Sequence, residues 1–159
     1  MFMKQNEFWS YLAGFIDADG SIYVRLKKNT TYKYDFQVAP SIVIYQSKEA
    51  KRLLKQLSEE MQCGYLRERN DGIIELTIGD KPSIKKVLNN TKPYLRLKAK
   101  QSKLMLRILR RMDLVDSPEN FIELTKLVDK FKNLNYSKKR IVNTRVVRNH
   151  LTKRGLLTP

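Results

Sequence analysis

Thiols and imidazoles are nearly absent from this sequence, which has one cysteine, Cys63, and one histidine, His150. A lone thiol cannot close an internal disulfide, and one thiol with one imidazole leaves no ligand set for zinc. Disulfide scaffolds, zinc fingers and Cys/His nucleophilic catalysis are thereby excluded. Any catalysis has to rest on carboxylates, lysines or hydroxyls. Long apolar runs are missing too: none approaches the ~20 residues that cross a bilayer. Met1 to Ser10 has neither a basic n-region nor a long apolar h-region. A soluble protein with no membrane partner is expected. Acids are scarce, 16 Asp and Glu against 32 Lys and Arg, giving a formal net charge of +16.

What is present is apolar material, 42% of 159 residues. That is enough for one core, and a single domain over residues 1–159 is expected. A two-to-one cationic excess on a chain with a real core asks for a polyanionic partner, nucleic acid first. A solvated lysine-rich surface and an anionic membrane are the competing explanations. The many arginines argue against the first, and the lack of a long basic amphipathic helix beside an anchor argues against the second.

Periodicity divides the chain into elements. Asn6 is a candidate N-cap, with Glu7 in the first turn, and Phe8, Tyr11, Leu12, Phe15 and Ile16 recur at helical spacing until Gly20 can close the helix. From Ser21 the period becomes two: Ile22, Val24 and Leu26 alternate with Tyr23, Arg25 and Lys27. The alternation resumes at Phe36, Val38, Ile42 and Ile44, so a hairpin is expected, bulged or at an edge near Pro40. Ser47 can cap a helix bearing Leu53, Leu54, Leu57 and Met61, which Gly64 can stop. A second hairpin, residues 65–69 and 73–78, turns at Asn70-Asp71-Gly72. Lys81-Pro82-Ser83 opens a short helix with Ile84, Val87 and Leu88. Leu104, Ile108 and Met112 mark another, and Ser117-Pro118 starts one carrying Phe121, Leu124, Val128 and Phe131. The basic stretch 136–148 is expected to be loosely ordered or to fold on a partner. His150 reads as a surface residue and Cys63 as a small buried hydrophobe.

Two features of the first helix break local rules. Asp17 and Asp19 stand in its last turn, at the negative pole of the macrodipole, where each carboxylate is disfavoured by ~0.3–1 kcal/mol. Either the acids are merely solvated or hydrogen-bonded to backbone, or at least one holds a hard divalent cation, for which carboxylates and carbonyls at a helix end are natural ligands. Ser10, Gly14 and Ala18 form a small-residue stripe at i, i+4 and i+8, with Ala13 beside it. A glycine within a helix costs ~1 kcal/mol against alanine, so Gly14 needs a closely approaching backbone. No second stripe occurs downstream, and the inferred mate is the same helix of a second chain across a two-fold axis.

Residues 12–20, Leu12-Ala13-Gly14-Phe15-Ile16-Asp17-Ala18-Asp19-Gly20, closely resemble the signature of the LAGLIDADG homing endonucleases. The element order that follows resembles that family's fold up to about residue 110, and the single motif copy is similar to its homodimeric branch. The resemblance implies an α+β fold, αββαββα over residues 5–112, with a four-stranded antiparallel saddle sheet per subunit, to which the periodicity and charge add C-terminal helices and a basic tail over 113–159. It also implies Mg²⁺-dependent hydrolysis of double-stranded DNA, with Mn²⁺ as a substitute, cutting across the minor groove to leave short 3′ overhangs.

By the same resemblance Asp19 matches the metal-ligating acid, Ala18 the contributor of a backbone carbonyl to that ion, and Asp17 a more structural position at the dimer interface with Ser10, Ala13 and Gly14. Gln46 resembles a residue that orients solvent near the metal, and Lys98 a lysine near the scissile phosphate. Base reading would fall to the polar hairpin faces, since a two-stranded ribbon fits the ~12 Å major groove. Period two nominates Tyr23, Arg25, Lys27, Gln37 and Ser41, with Asn29, Thr31 and Tyr32 at the tip, and Arg67, Arg69, Glu75 and Thr77 in the second hairpin. Lys100, Lys138, Lys139 and Arg140 suit phosphates.

The expectation is therefore a homodimeric, site-specific endonuclease acting on a long pseudo-palindromic duplex, inside an organelle or a prokaryotic or archaeal cytoplasm. The alternative is an inactive intron-RNA maturase or DNA-binding regulator on the same fold. A structural RNA-binding protein would explain the charge but not the acidic helix end.

Overall fold

A computed structural model describes residues 4–136 and 140–159. Helix α1 (Gln5–Asp19) forms because Phe8, Trp9, Leu12, Ala13 and Ile16 fall on one face, which is buried. Its start differs from expectation. The cap is Lys4 rather than Asn6, because the Glu7 carboxylate reaches back to accept from the Lys4 backbone N–H at 3.1 Å. Gly20 ends the helix as expected, but with an extended backbone, φ −98°. Glycine is required there for space: a Cβ would lie 2.7 Å from both the Cα and the carbonyl oxygen of Ile16.

Strands β1 (Gly20–Lys28) and β2 (Phe36–Ser47) follow, then α2 (Lys51–Met61), β3 (Tyr65–Glu68), β4 (Ile73–Ile78) and α3 (Lys81–Thr91). The sheet order is β1-β2-β4-β3, with Ile42 opposite Ile78 and Ser47 opposite Ile73 in the antiparallel β2–β4 pair. Arg67 lies opposite Glu75 in the β3–β4 hairpin. The period-two reading holds: Ile22, Val24, Leu26, Ile42, Ile44, Ile74, Leu76 and Ile78 are buried. Pro40 neither breaks β2 nor lies in an edge strand of the sheet. Pairing with β4 begins only at Ile42, so the missing donor has no β4 residue opposite it.

Ser47 caps a 3-10 turn, Lys48–Ala50, instead of α2 itself, whose cap is Ala50. Likewise α2 stops before Gly64, at Gln62, which takes the left-handed conformation (φ 56°). The second hairpin turns as read, with Gly72 at φ 80° and the Arg69 N–H donating to the Ile73 carbonyl at 2.8 Å. Asp80 caps α3 by accepting from the Ser83 N–H at 2.9 Å.

Among the described residues α4 (Ala99–Met112), α5 (Pro118–Asp129), a 3-10 turn (Lys130–Asn133) and α6 (Thr144–Lys153) follow. Ser117 caps α5 as expected, accepting from the Asn120 N–H at 3.1 Å. The basic stretch is not loose throughout. Asn143 accepts from the Val146 N–H and starts α6, which buries Val147 and Leu151. These two apolar positions, four apart, lie on the buried face of α6, which packs on α5. None of the described helices is long and apolar enough to cross a membrane. The chain packs as two compact units, Met1–Ile22 with Ser41–Ser102, and Tyr23–Pro40 with Lys103–Pro159.

Candidate active site and nucleic-acid interface

The two aspartates at the foot of α1 are treated differently by the fold. Asp17 is satisfied within the chain. Its carboxylate accepts from the backbone N–H groups of Arg96 and Lys98, at 2.8 and 2.9 Å, and the Lys98 ammonium donates to the Asp17 carbonyl at 2.6 Å. The ammonium thus supplies the positive charge that the negative pole of α1 favours, although α1 has no basic residue in its own last turn. Asp19 receives no such help. It is exposed, and among the described residues its hydrogen-bond partner is the side-chain amide of Gln46, 2.6 Å from Oδ2. Among the described residues it forms no ion pair.

The fold therefore gathers Asp17, Asp19, Gln46 and Lys98 at one end of one helix, from segments up to 81 residues apart. Ala18 is exposed beside them. Among the described residues no three His, Cys, Asp or Glu side chains come together to hold a metal ion. Asp19 fits a hard divalent cation in donor type and exposure, but one chain supplies too few acidic ligands to enclose it. The remaining ligands of such an ion would be oxygens from outside the chain, water included.

The small-residue stripe is partly as expected. Ser10, Gly14 and Ala18 are exposed, and a Cβ built on Gly14 would meet nothing within 4 Å. Among the described residues no segment approaches Gly14 closely enough to require glycine. Ala13 is corrected: it is fully buried with Leu12 and Ile16, one helical position away from the open stripe, and cannot face a second chain. The Asp17 carboxylate, turned to the 96–98 backbone, serves the subunit's own fold.

The polar sheet faces carry the nominated readers. Arg25 and Lys27 are exposed on β1, and the Arg25 guanidinium rests over the Tyr23 ring at 5.4 Å. Asn29 organises the first tip: its side-chain oxygen accepts from the Thr31 N–H at 3.1 Å and from the Thr31 hydroxyl at 2.7 Å. Thr31 and Tyr32 are exposed there, and Gln37 and Ser41 are half-buried on β2. On the second hairpin Glu75 is shared by Arg67 (3.9 Å) and Arg69 (3.4 Å), while Arg69 also meets Asp71 at 2.6 Å. Thr77 is half-buried and Lys100 exposed. Lys138 and Lys139 lie outside the described residues. Arg140 is half-buried, and desolvation pulls its guanidinium below the ordinary arginine range against the pull of Asp129.

A family model described as LAGLIDADG endonuclease matches residues 12–106. The DNA endonuclease I-CvuI of Chlorella vulgaris is 34% identical over 147 residues, 92% of this chain and 91% of that one. The chain belongs to the LAGLIDADG homing endonuclease family. DNA endonuclease I-CreI of Chlamydomonas reinhardtii is similar to the same degree, 34% over 144 residues, 90% of this chain and 88% of the relative. The crystal structure of I-CvuI in complex with its target, in the presence of 2 mM Ca, superposes with a TM-score of 0.91 at 32% identity. The match covers 97% of this chain and 98% of that one. The α+β fold with a four-stranded antiparallel sheet is thus the LAGLIDADG fold.

Some residues of this LAGLIDADG chain escaped the sequence reading. Tyr65, 61% exposed, shares the polar face of β3 with Arg67, and stepping back two residues from Arg67 would have found it. Tyr45 stands opposite Glu75 on β2 by the same alternation. His150 is corrected from a surface residue: three-quarters buried, it places Nε2 2.7 Å from the Asp35 carboxylate. No local pattern connects those two positions. Cys63 is half-buried rather than buried, and desolvation raises its thiol above the ordinary range.

Proposed function

We propose that this chain acts as a homodimeric, site-specific endonuclease on double-stranded DNA, cutting a long pseudo-palindromic target by metal-dependent phosphodiester hydrolysis and leaving short 3′ overhangs. The observation that carries this reading is Asp19, an exposed carboxylate at the negative pole of α1, with the Gln46 amide as its hydrogen-bond partner among the described residues. The relatives are named as DNA endonucleases, and I-CvuI is solved on DNA with Ca and also with Mg.

Two α1 helices packed through Ser10, Gly14 and Ala18 would bring two Asp19 carboxylates to one axis, one for each strand to be cut. Asp19, with the Ala18 carbonyl, would hold Mg²⁺, or Mn²⁺ in its place. When bound, such an ion neutralises charge on the attacked phosphate and lowers the pKa of the attacking water. Gln46, hydrogen-bonded to Asp19, orients the carboxylate and leaves its own carbonyl oxygen to direct solvent. Lys98 is held at the foot of α1 by the Asp17 carbonyl, and its cation would stabilise developing negative charge on the phosphate. The polar faces of the hairpins read base edges, while Lys100 and the basic segment through Lys138, Lys139 and Arg140 engage phosphates.

A cleavage selection on randomised duplex DNA with Mg²⁺, read by mapping both ends, tests activity, symmetry and overhang together. Wild type is expected to yield one near-palindromic consensus with staggered cuts, and Asp19→Asn is expected to bind that site without nicking it. Intact cleavage by Asp19→Asn would refute the assignment.

A further inference from the structure

The site at the foot of α1 leaves one polar cluster unused. Asp35 lies at the base of the β1–β2 loop in the left-handed conformation, φ 62°. Its backbone closes the loop: the carbonyl accepts from the Asn29 N–H at 2.7 Å, and the N–H donates to the Tyr32 carbonyl at 2.9 Å. Its carboxylate faces α6. His150 Nε2 is 2.7 Å away and Arg154 donates at 2.9 Å, both to Oδ2, and the His150 ring meets Phe36 edge-on with centroids 5.3 Å apart. Tyr34 stacks on Phe121 of α5, 5.1 Å between centroids. One residue thus fixes both the loop's internal hydrogen bonds and its attachment to a helix 115 residues further along.

The geometry points to Asp35, His150 and Arg154 as positioning residues for DNA specificity: α6, gripping Asp35, sets how the first hairpin tip presents Asn29, Thr31 and Tyr32 to the bases it reads. The inference rests on the reading above that this tip meets DNA. β1 starts next to Asp19 and runs nine residues, roughly 30 Å at the rise of a strand. The affected bases would be the ones read by that tip, at the end of β1 away from Asp19. An acid held inward by two cationic or proton-donating partners touches no phosphate itself. It acts through the loop, whose extended alternatives lose the bonds to Asn29 and Tyr32.

The test is target selection by cleavage of randomised duplexes with wild type, Asp35→Asn, His150→Ala and the double variant, alongside amide hydrogen exchange of residues 29–35 in the free protein. Asparagine tolerates the left-handed backbone, so Asp35→Asn removes the charge without imposing strain. Each single variant is expected to lose about tenfold of the discrimination at the remote positions, keep the preferences near the cut, and exchange faster across the tip. The double variant is expected to be no worse than Asp35→Asn, since loss of the carboxylate already weakens the hold of both His150 and Arg154. Uniform weakening across the site, or unchanged remote preferences, overturns the inference. Tyr32→Ala separates the two failures. If it relaxes the remote positions while the clamp variants do not, the clamp is irrelevant to readout. If it too leaves them unchanged, the tip does not read bases and the underlying assignment fails with the inference.

Discussion

Asp17 and Lys98 hold each other twice: the lysine ammonium donates to the aspartate's main-chain carbonyl at 2.6 Å, and the aspartate's carboxylate accepts from the lysine's own N–H at 2.9 Å. The pair ties the end of the first helix to a loop 81 residues on. It also settles what offsets an acid at the wrong pole of a helix, since the backbone donors and the cation come from that loop.

Removing the Asp17 carboxylate orphans two backbone donors, of Arg96 and Lys98. Asp17→Ala is expected to lower unfolding free energy by about 1–3 kcal/mol and to reduce cleavage through displacement of Lys98. Chemical denaturation and single-turnover cleavage measure the two effects. Lys98→Met should spare most of the stability and still slow cleavage. Unimpaired single-turnover cleavage by Lys98→Met would make Lys98 a structural cap alone.

Gln46 approaches Asp19 at hydrogen-bond distance, so its replacement by glutamate sets two carboxylates against each other. Gln46→Glu is expected to shift the divalent-ion dependence of cleavage, and Gln46→Ala to slow cleavage at saturating metal, with DNA binding retained in both. Titrating Mg²⁺ against cleavage rate at fixed duplex checks this. Unaltered metal dependence and rate in both variants would remove Gln46 from the site.

Gly14 has open space where a Cβ would stand. In a monomer, Gly14→Ala would stabilise α1 by about 1 kcal/mol. If a second α1 packs there, a larger side chain separates the helices, so Gly14→Leu is expected to weaken self-association at least tenfold, a change of about 1.4 kcal/mol. Sedimentation equilibrium of wild type and variants decides. A monomeric wild type at micromolar concentration would refute the packing.

His150, hydrogen-bonded to the Asp35 carboxylate, and the Arg154 charge hold Asp35 below the ordinary carboxylate range, against the opposing effect of desolvation. A depressed folded-state pKa means that the stabilisation is fully present above the unfolded value, about 3.9, and is lost as pH falls through the lower folded value. Wild type should therefore exceed Asp35→Asn in stability at pH 5–6, with the gap narrowing below about pH 4. Denaturant titrations across that range provide the check. A gap that is constant with pH would mean that the carboxylate's charge contributes nothing.

The element order and the sheet faces were legible in the sequence because period two and period 3.6 are local consequences of backbone geometry. Ile22-Val24-Leu26 and Ile74-Leu76-Ile78 therefore declared their buried face without any partner being known. Asp-Gly in the second turn and Ser117-Pro118 at the start of α5 were legible for the same reason. Where boundaries moved, at Lys4 and at Ala50, the competing donors and acceptors lay within a few residues, and several caps were chemically possible. The motif at the foot of α1 was legible as a resemblance, and its two acids stood out through their clash with the helix dipole.

What the two acids do was decided only in three dimensions. Asp17 and Asp19 are alike in residue type and in place on the dipole, and only the 96–98 backbone arriving at one and Gln46 at the other makes them different. Ala13 and Gly14 are adjacent in sequence, yet the rotation of α1 on the core buries the first and opens the second. Asp35 and His150 carry no pattern that joins them. Hydrogen bonds between segments 115 residues apart are a property of the packed chain, because the strength of such a contact depends on distances that no stretch of sequence specifies alone.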